Sequence, residues 1–236
     1  MSLQSISPDI ADNVRRVRQA IDLAARRSGR DPADVHLLAV AKTHPDDLVR
    51  RAAAAGCTDF AENYLQEALT KRAALADLPL TWHYIGAIQS NKTRQIAEHF
   101  DWVHTVSRHK IAERLSAQCP PGKVLNVTLQ VNIDADPDKG GVEPAAAEEL
   151  LAAAGGLPNL RLRGLMTILH RDSEPRAGYQ HLAELFAQLR PAAPACWDTL
   201  SMGMSGDFAD AIAAGATQVR IGTAIFGPRA TAHAPP

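Results

Sequence analysis

The chain has 236 residues, 46% of them hydrophobic and 22% charged, so it can bury a sizeable core in one large domain or two small ones. The formal net charge of −1 argues against a protein that depends on attraction to nucleic-acid phosphates, and the apolar runs are too short to cross a bilayer. The three cysteines are isolated and no basic segment followed by an apolar one opens the chain, so we expect reduced thiols, no signal peptide and a cytoplasmic protein.

The first predicted element is a helix. Ser7 is placed to cap it, Pro8 suits the first helical position, and Asp9 suits the positive N-terminal end. Apolar side chains then recur at spacings of four, four, three and four residues, at Ile6, Ile10, Val14, Val17 and Ile21. This pattern indicates one apolar stripe, which ends before Gly29.

Short apolar runs and helical patterns alternate through the rest of the chain. The strand candidates are residues 35–41, 58–62, 82–86, 102–106, 124–133, 160–168, 198–203 and 217–222. The helical patterns between them lie near 46–55, 63–76, 90–99, 108–117, 144–154, 176–189 and 206–214.

This alternation predicts an α/β fold with a parallel sheet. Eight such units match a (β/α)8 TIM barrel with an extra N-terminal helix, in a single domain over residues 1–236. The alternative is an open doubly wound sheet. The second and fourth strands are short and polar, and loss of both would favour the open sheet.

In such a barrel the functional site lies at the C-terminal ends of the strands, and the loops after strands 7 and 8 often bind phosphate. Ser205 is placed to cap the helix that follows strand 7, where free N–H groups favour an anion. Gly222 and Thr223 end strand 8, where they allow close approach of the backbone and add a hydroxyl donor. The alternative interpretation is that these residues are ordinary turn glycines and a cap.

Lys42 ends the first apolar strand. Burial between apolar walls lowers the pKa of an amine, and a neutral amine can form a Schiff base with a carbonyl compound. The alternative is a lysine that reaches solvent or pairs with a carboxylate such as Glu62. With a phosphate site at the same rim, the ligand would be pyridoxal 5'-phosphate or a sugar phosphate.

Arg220 lies two residues before Gly222 on the same strand face, deeper in the barrel. An arginine only donates hydrogen bonds, so beside a pyridine nitrogen it would keep that nitrogen unprotonated. This favours pyridoxal 5'-phosphate as the ligand. The alternative is an ordinary salt bridge to a nearby carboxylate.

Four segments carry a resemblance to a known family: LLAVAKTHP, FAENYLQEALTK, WHYIGAIQSNKTRQIAEHFDWVHTV and LSMGMSGDFADAIAAGATQVRIGTAIFGPR. From about Val35 to Arg229 the sequence resembles the pyridoxal phosphate homeostasis proteins. The resemblance implies one barrel like the N-terminal domain of alanine racemase, without a second domain. The sequence departs from the family pattern at His44, Ala61, Ala87–Ile88 and Gly140–Gly141, and none of these is a proposed cofactor contact.

The resemblance also implies roles for single residues. Lys42 would hold pyridoxal 5'-phosphate as a Schiff base, and Arg220 would face its pyridine nitrogen. The remaining implied contacts are to the phosphate and to the cofactor edge, from Met204, Ser205, Gly222, Thr223 and Asn63.

We therefore expect a cofactor carrier rather than an enzyme, with no catalytic residue and no metal ligand set. We expect a monomer whose partners are the cofactor and pyridoxal-dependent apo-enzymes, without nucleic acid or membrane. The alternatives are a weak amino-acid racemase or another enzyme using the same cofactor, and a sugar-phosphate aldolase that uses Lys42 itself.

Overall fold

The computed structural model describes residues 7–170 and 172–228. In this part of the chain, eight parallel strands close into one barrel in sequence order, with each strand paired to the next and β8 paired to β1. The strands are β1 His36–Val40, β2 Asp59–Glu62, β3 Thr81–Tyr84, β4 Trp102–Val106, β5 Leu125–Gln130, β6 Leu160–Met166, β7 Thr199–Ser201 and β8 Gln218–Ile221. The barrel prediction is confirmed, and the open sheet is excluded.

The helices surround the barrel. Within the described residues they are α1 Ile10–Arg27, α2 Asp46–Ala54, α3 Leu65–Ala74, α4 Thr93–His99, α5 His109–Gln118, α6 Ala147–Gly155, α7 Pro175–Leu189, α8 Phe208–Ala213 and α9 Thr223–Phe226. Each predicted helical segment contains a helix, with ends shifted by a few residues. None of the described helices is long and apolar enough to span a membrane.

The additional N-terminal helix is α1, which packs against α2, α8 and α9. The sequence-based prediction of its cap is wrong: the helix begins at Ile10, and the Asp9 carboxylate accepts a hydrogen bond from the Ala11 amide at 3.0 Å. Ser7 instead accepts from the Asp9 amide, one step earlier. An aspartate and a serine are equally good caps, so local sequence did not distinguish them.

The predicted apolar stripe of α1 is confirmed at its described positions, Ile10, Val14, Val17 and Ile21, all of which are buried; Ile6 lies outside the described residues. Burial of each such side chain stabilises the fold by roughly 1.5–3 kcal/mol. Asn13, on the same face, donates from Nδ2 to the Ile225 carbonyl oxygen at 2.9 Å, which ties α1 to α9.

Side chains of the strands alternate between the helices and the barrel interior. In β1, Ala39 packs into the large core under the helices, whereas Leu38 and Val40 form a separate small cluster with Ala61 and Ile85. This small cluster fills the barrel near the C-terminal ends of the strands. These apolar side chains therefore lie in the barrel interior directly below the predicted site residues.

Candidate functional site

Lys42 lies two residues beyond the end of β1, in the turn before α2. It is half-buried and continues the inward-facing series of Leu38 and Val40. The end of β8 adjoins it directly, since a Cβ added to Gly222 would lie 3.1 Å from the Val40 carbonyl oxygen. The strand ends that carry Lys42 and Gly222 are thus neighbours, as the barrel prediction required.

Asn63 lies on the other side of Lys42. Val40 pairs with Ala61 in the parallel register of β1 and β2, and Lys42 and Asn63 each follow two residues later. The Oδ1 atom of Asn63 is buried and has no hydrogen-bond partner among the described residues. A buried polar atom without a partner is costly, so this oxygen is a candidate contact for a ligand.

The loop after β7 carries Met204 and Ser205. The prediction that Ser205 caps the following helix is wrong: α8 begins at Phe208 with Asp207 as its N-terminal flanking residue. Asp207 accepts a hydrogen bond from the Met204 amide through Oδ1 at 2.6 Å, which folds residues 204–207 into a turn before the helix starts. Ser205 is therefore on a turn, free of a capping role.

Two short backbone segments follow the ends of the paired strands β7 and β8. Gly222 directly precedes α9, and Thr223 is its exposed first residue. Within the described part of the chain, the amides of Ser205, Gly206, Thr223 and Ala224 donate no hydrogen bond to the protein. Amides of this kind, on adjacent strand ends, are suitable donors for a phosphate.

Arg220 points into the barrel from β8 and is 4% exposed. Its Nη1 donates to Ser201 Oγ at 2.9 Å, and its Nη2 donates to the Thr167 carbonyl oxygen at 2.7 Å. Burial lowers the pKa of Arg220, and the charges of Tyr179 and Asp207 partly offset this. Among the described residues no carboxylate forms an ion pair with it, so the salt-bridge alternative does not hold there.

A second buried cluster lies between Lys42 and α3. Lys71 Nζ donates to Glu62 Oε1 at 2.7 Å, to Glu67 Oε1 at 2.6 Å and to the carbonyl oxygen of Ala41 at 2.6 Å. Glu67 Oε1 also accepts from the amide of Thr43 at 2.5 Å. The cluster therefore holds the backbone on both sides of Lys42.

Glu62 is fully buried in this cluster, and its Oε2 has no partner among the described residues. Burial raises the pKa of Glu62 to about 7, although the hydrogen bond and charge of Lys71 act in the opposite direction. The charge of Lys42 also lowers that pKa. Glu62 is thus close enough to Lys42 for the charge of Lys42 to act on its carboxyl group.

The residues that the sequence indicated lie at or just beyond the C-terminal ends of β1, β2, β7 and β8. Sequence reasoning missed Lys71 and Glu67. A usable signal existed, because Glu67 and Lys71 are four residues apart on one helix and form the favourable acid-before-base pair. Nothing local, however, places that pair against Ala41.

Three histidines recur at five-residue steps, at His99, His104 and His109. His104 is buried in the barrel, whereas His109 is exposed on α5. In residues 7–170 and 172–228, no three His, Cys, Asp or Glu side chains cluster as metal ligands would.

Comparison with known proteins places this geometry in a family. The model of the family described as alanine racemase, N-terminal domain, matches residues 9–230. The pyridoxal phosphate homeostasis protein of Pseudomonas aeruginosa is 56% identical over 224 residues, covering 93% of this chain and 96% of that protein. Its counterpart in Escherichia coli is 48% identical over 231 residues, covering 94% and 97%.

Solved structures of similar proteins have the same barrel fold. PipY of Synechococcus elongatus, in a structure with PLP bound, is 40% identical with a TM-score of 0.79, covering 92% of this chain and 100% of that one. Alanine racemase from Corynebacterium glutamicum is 19% identical with a TM-score of 0.70, covering 96% of this chain and 63% of that one. The second likeness shows the fold alone.

The fold and the match together define a barrel of the alanine racemase N-terminal class. More narrowly, the chain belongs to the pyridoxal phosphate homeostasis protein family, with which it shares about half of its residues over nearly its whole length.

Proposed function

We propose that this protein binds pyridoxal 5'-phosphate as a Schiff base on Lys42 and takes part in intracellular homeostasis of that cofactor by storing, delivering and buffering it. The observation that carries the proposal is the position of half-buried Lys42 at a rim whose neighbouring strand ends offer amide donors without a partner in residues 7–170 and 172–228. The names of the relatives and the PLP-bound PipY structure support the same cofactor.

The described residues fit this cofactor. Pyridoxal 5'-phosphate supplies an aldehyde that a lysine amine can hold covalently, a phosphate and a pyridine nitrogen. The amides of Ser205, Gly206, Thr223 and Ala224, which have no partner among the described residues, suit the phosphate, and Gly222 lets the backbone approach closely. Met204, which is partly exposed, lies beside them, and the orphaned Oδ1 of Asn63 suits a polar group at the cofactor edge.

Arg220 is the side chain that would face the pyridine nitrogen of the cofactor. Because a guanidinium has no acceptor, it can only donate to that nitrogen and so disfavours protonation there. Nη1 and Nη2 are already engaged with Ser201 and Thr167, which fixes the orientation of the group. An unprotonated ring withdraws electrons less strongly, which suits holding the cofactor better than demanding carbanion chemistry.

We propose a carrier because racemisation needs proton exchange on both faces of a substrate carbon, and Lys42 accounts for one face. Transfer to apo-enzymes, the monomeric state and the cytoplasmic location belong to this proposal. The experiment is a visible spectrum of the purified protein with added cofactor, before and after borohydride, for the wild type, Lys42→Ala and the control Lys110→Ala on the exposed face of α5.

We expect an absorbance band that borohydride removes in the wild type and the control, with the reduced label mapped to Lys42. Lys42→Ala should lack the band. A wild type that takes up no cofactor would contradict the proposal. Sustained turnover of an added amino acid, lost in Lys42→Ala, would favour the racemase alternative, and a colourless protein that cleaves a sugar phosphate would favour the aldolase.

A further inference from the structure

A line of buried polar side chains crosses the barrel beneath the candidate site. Arg220 Nη1 donates to Ser201 Oγ at 2.9 Å, and the same oxygen lies 2.9 Å from His104 Nδ1. His104 Nε2 lies 2.9 Å from His83 Nδ1, and His83 Nε2 lies 3.1 Å from Asp59 Oδ1. The line joins strands β8, β7, β4, β3 and β2.

The interior of such a barrel is usually filled by branched apolar side chains. Here Ser201 and His104 are 0% exposed and His83 is 1% exposed, so their polar atoms must be satisfied by one another. Asp59, at the far end, is partly exposed and lines a cavity of about 500 Å³ at the N-terminal face of the barrel. The line therefore runs from solvent at one face to Arg220.

The chemistry of the two ends fixes the direction of every hydrogen bond. A carboxylate only accepts, so His83 must donate to Asp59 from Nε2. A neutral imidazole has one donor and one acceptor, so His83 Nδ1 accepts from His104 Nε2.

The same logic continues to the other end. His104 Nδ1 then accepts from the Ser201 hydroxyl, whose oxygen accepts from Arg220. An arginine only donates, and in this arrangement Arg220 does donate, to the Ser201 oxygen. The two ends agree on one direction, in which donors point from Arg220 towards Asp59.

The charge states of the members are consistent with this direction. Burial lowers the pKa of His83, and it lowers that of His104 well below the usual value, which favours the neutral form of both rings. Burial alone would raise the pKa of Asp59, but hydrogen bonds from His83 and Thr58 outweigh it and hold that pKa below its ordinary value.

We propose that Ser201, His104, His83 and Asp59 are positioning residues that act through Arg220, as one directional hydrogen-bond chain that holds the guanidinium where it meets the pyridine nitrogen of the cofactor. This inference rests on the proposed function. Removing the acceptor at Asp59 frees both histidines to change tautomer, and a proton on His104 Nδ1 would then compete with Arg220 as a donor to Ser201 Oγ.

The first test needs no cofactor. Long-range ¹⁵N–¹H correlation NMR of histidine-labelled protein at pH 7 reports which ring nitrogen carries the proton, and His83→Gln and His104→Gln assign the signals. We expect both rings to be neutral with the proton on Nε2. A proton on Nδ1 of either ring, or a charged ring, overturns the chain.

The second test measures the effect on the cofactor. Asp59→Leu removes the terminal acceptor, Asp59→Asn keeps an acceptor oxygen without the charge, and Asp34→Leu is a matched control that lines the same cavity outside the chain. Binding of pyridoxal 5'-phosphate labelled with ¹⁵N in the ring gives both the dissociation constant and the pyridine nitrogen shift. Circular dichroism shows whether each variant folds.

We expect on the order of tenfold weaker binding and a changed pyridine nitrogen shift in Asp59→Leu, because a charge-assisted bond at the end of the chain is lost. Asp59→Asn should recover most of the affinity, and Asp34→Leu should match the wild type. Wild-type affinity and shift in folded Asp59→Leu would overturn the positioning role. A wild type that binds no cofactor would instead overturn the proposed function, while the tautomer result would still decide whether the chain exists.

Discussion

Lys71 Nζ lies 2.6 Å from the carbonyl oxygen of Ala41, although Lys71 belongs to α3 and Ala41 lies just beyond the end of β1, next to Lys42. Through Glu67 the same cluster holds the amide of Thr43, whose φ of 64° is in the left-handed region. A non-glycine residue in that region is held by its surroundings. The lysine of the candidate site thus sits on a backbone segment braced from both sides.

Lys71→Met should therefore destabilise the protein and disturb the site together. Loss of the ammonium leaves the buried Glu62 without its partner, and breaking a buried pair in this way costs about 3–5 kcal/mol. Urea unfolding measures the loss, and the yield of borohydride-fixed cofactor on Lys42 reports the site. Lys110→Met, on the exposed face of α5, should leave both measurements unchanged. Wild-type values for both in Lys71→Met would show that the brace has no effect.

Glu62→Gln tests the unusual carboxyl group. Its pKa is raised from 4.5 to about 7 in the folded protein, so between these pH values the folded state binds more protons than the unfolded state. Stability from this group is therefore greatest below pH 4.5 and is lost as the pH rises to about 7. A glutamine has no such dependence.

The free energy of unfolding of the wild type, relative to Glu62→Gln, should fall by on the order of 3 kcal/mol between pH 4.5 and pH 7.5. Urea unfolding of both proteins across this range measures the difference. A constant difference would mean that Glu62 titrates in its ordinary range.

For the two buried histidines we expect the free energy of unfolding to change with pH in the opposite direction. Burial lowers the pKa of His83 and His104 below the ordinary 6.5, so the unfolded state binds more protons below that pH. Their contribution is fully present above pH 6.5 and is lost as the pH falls, at up to about 1.4 kcal/mol per pH unit for each ring. His104→Gln should be less stable at pH 7, but its unfolding free energy should fall less steeply between pH 6 and pH 5. Equal slopes in the two proteins would contradict this account.

Gly86→Ala should damage the rim through Asn63. A Cβ at Gly86 would lie 2.0 Å from the carbonyl oxygen of Asn63, so the backbone there must move. We expect a loss of about 1–3 kcal/mol in unfolding free energy, as for overpacked sites, together with weaker cofactor binding. Gly155→Ala is the matched control, because nothing lies within 4 Å of the added carbon at the end of α6. The control should gain up to about 1 kcal/mol from its helical position. Unchanged cofactor binding in Gly86→Ala would show that the backbone position of Asn63 does not affect the site.

Much of the fold could be predicted because the signals are local. Alternating apolar runs, helical periodicity and turn residues identified the eight strands and their order, and the rule that sites lie at the C-terminal ends of barrel strands brought Lys42, Arg220 and Gly222 to one rim. The wrong helix caps also came from local patterns. Ser7 and Ser205 are of a residue type that often caps helices, but Asp9 and the turn closed by Asp207 determine where the helices begin.

The sequence by itself determined the barrel, the lysine at its rim and the loops after β7 and β8, because each depends on residues close together in the chain. The tertiary structure alone decided how these groups are supported. Lys71 reaches Ala41 across 30 residues, and His104 meets Ser201 across 97. No local pattern relates such positions. Packing of α3 against the barrel brings Lys71 to Ala41, and closure of the barrel brings β4 and β7 around one interior, where each buried polar atom must find its partner on another element.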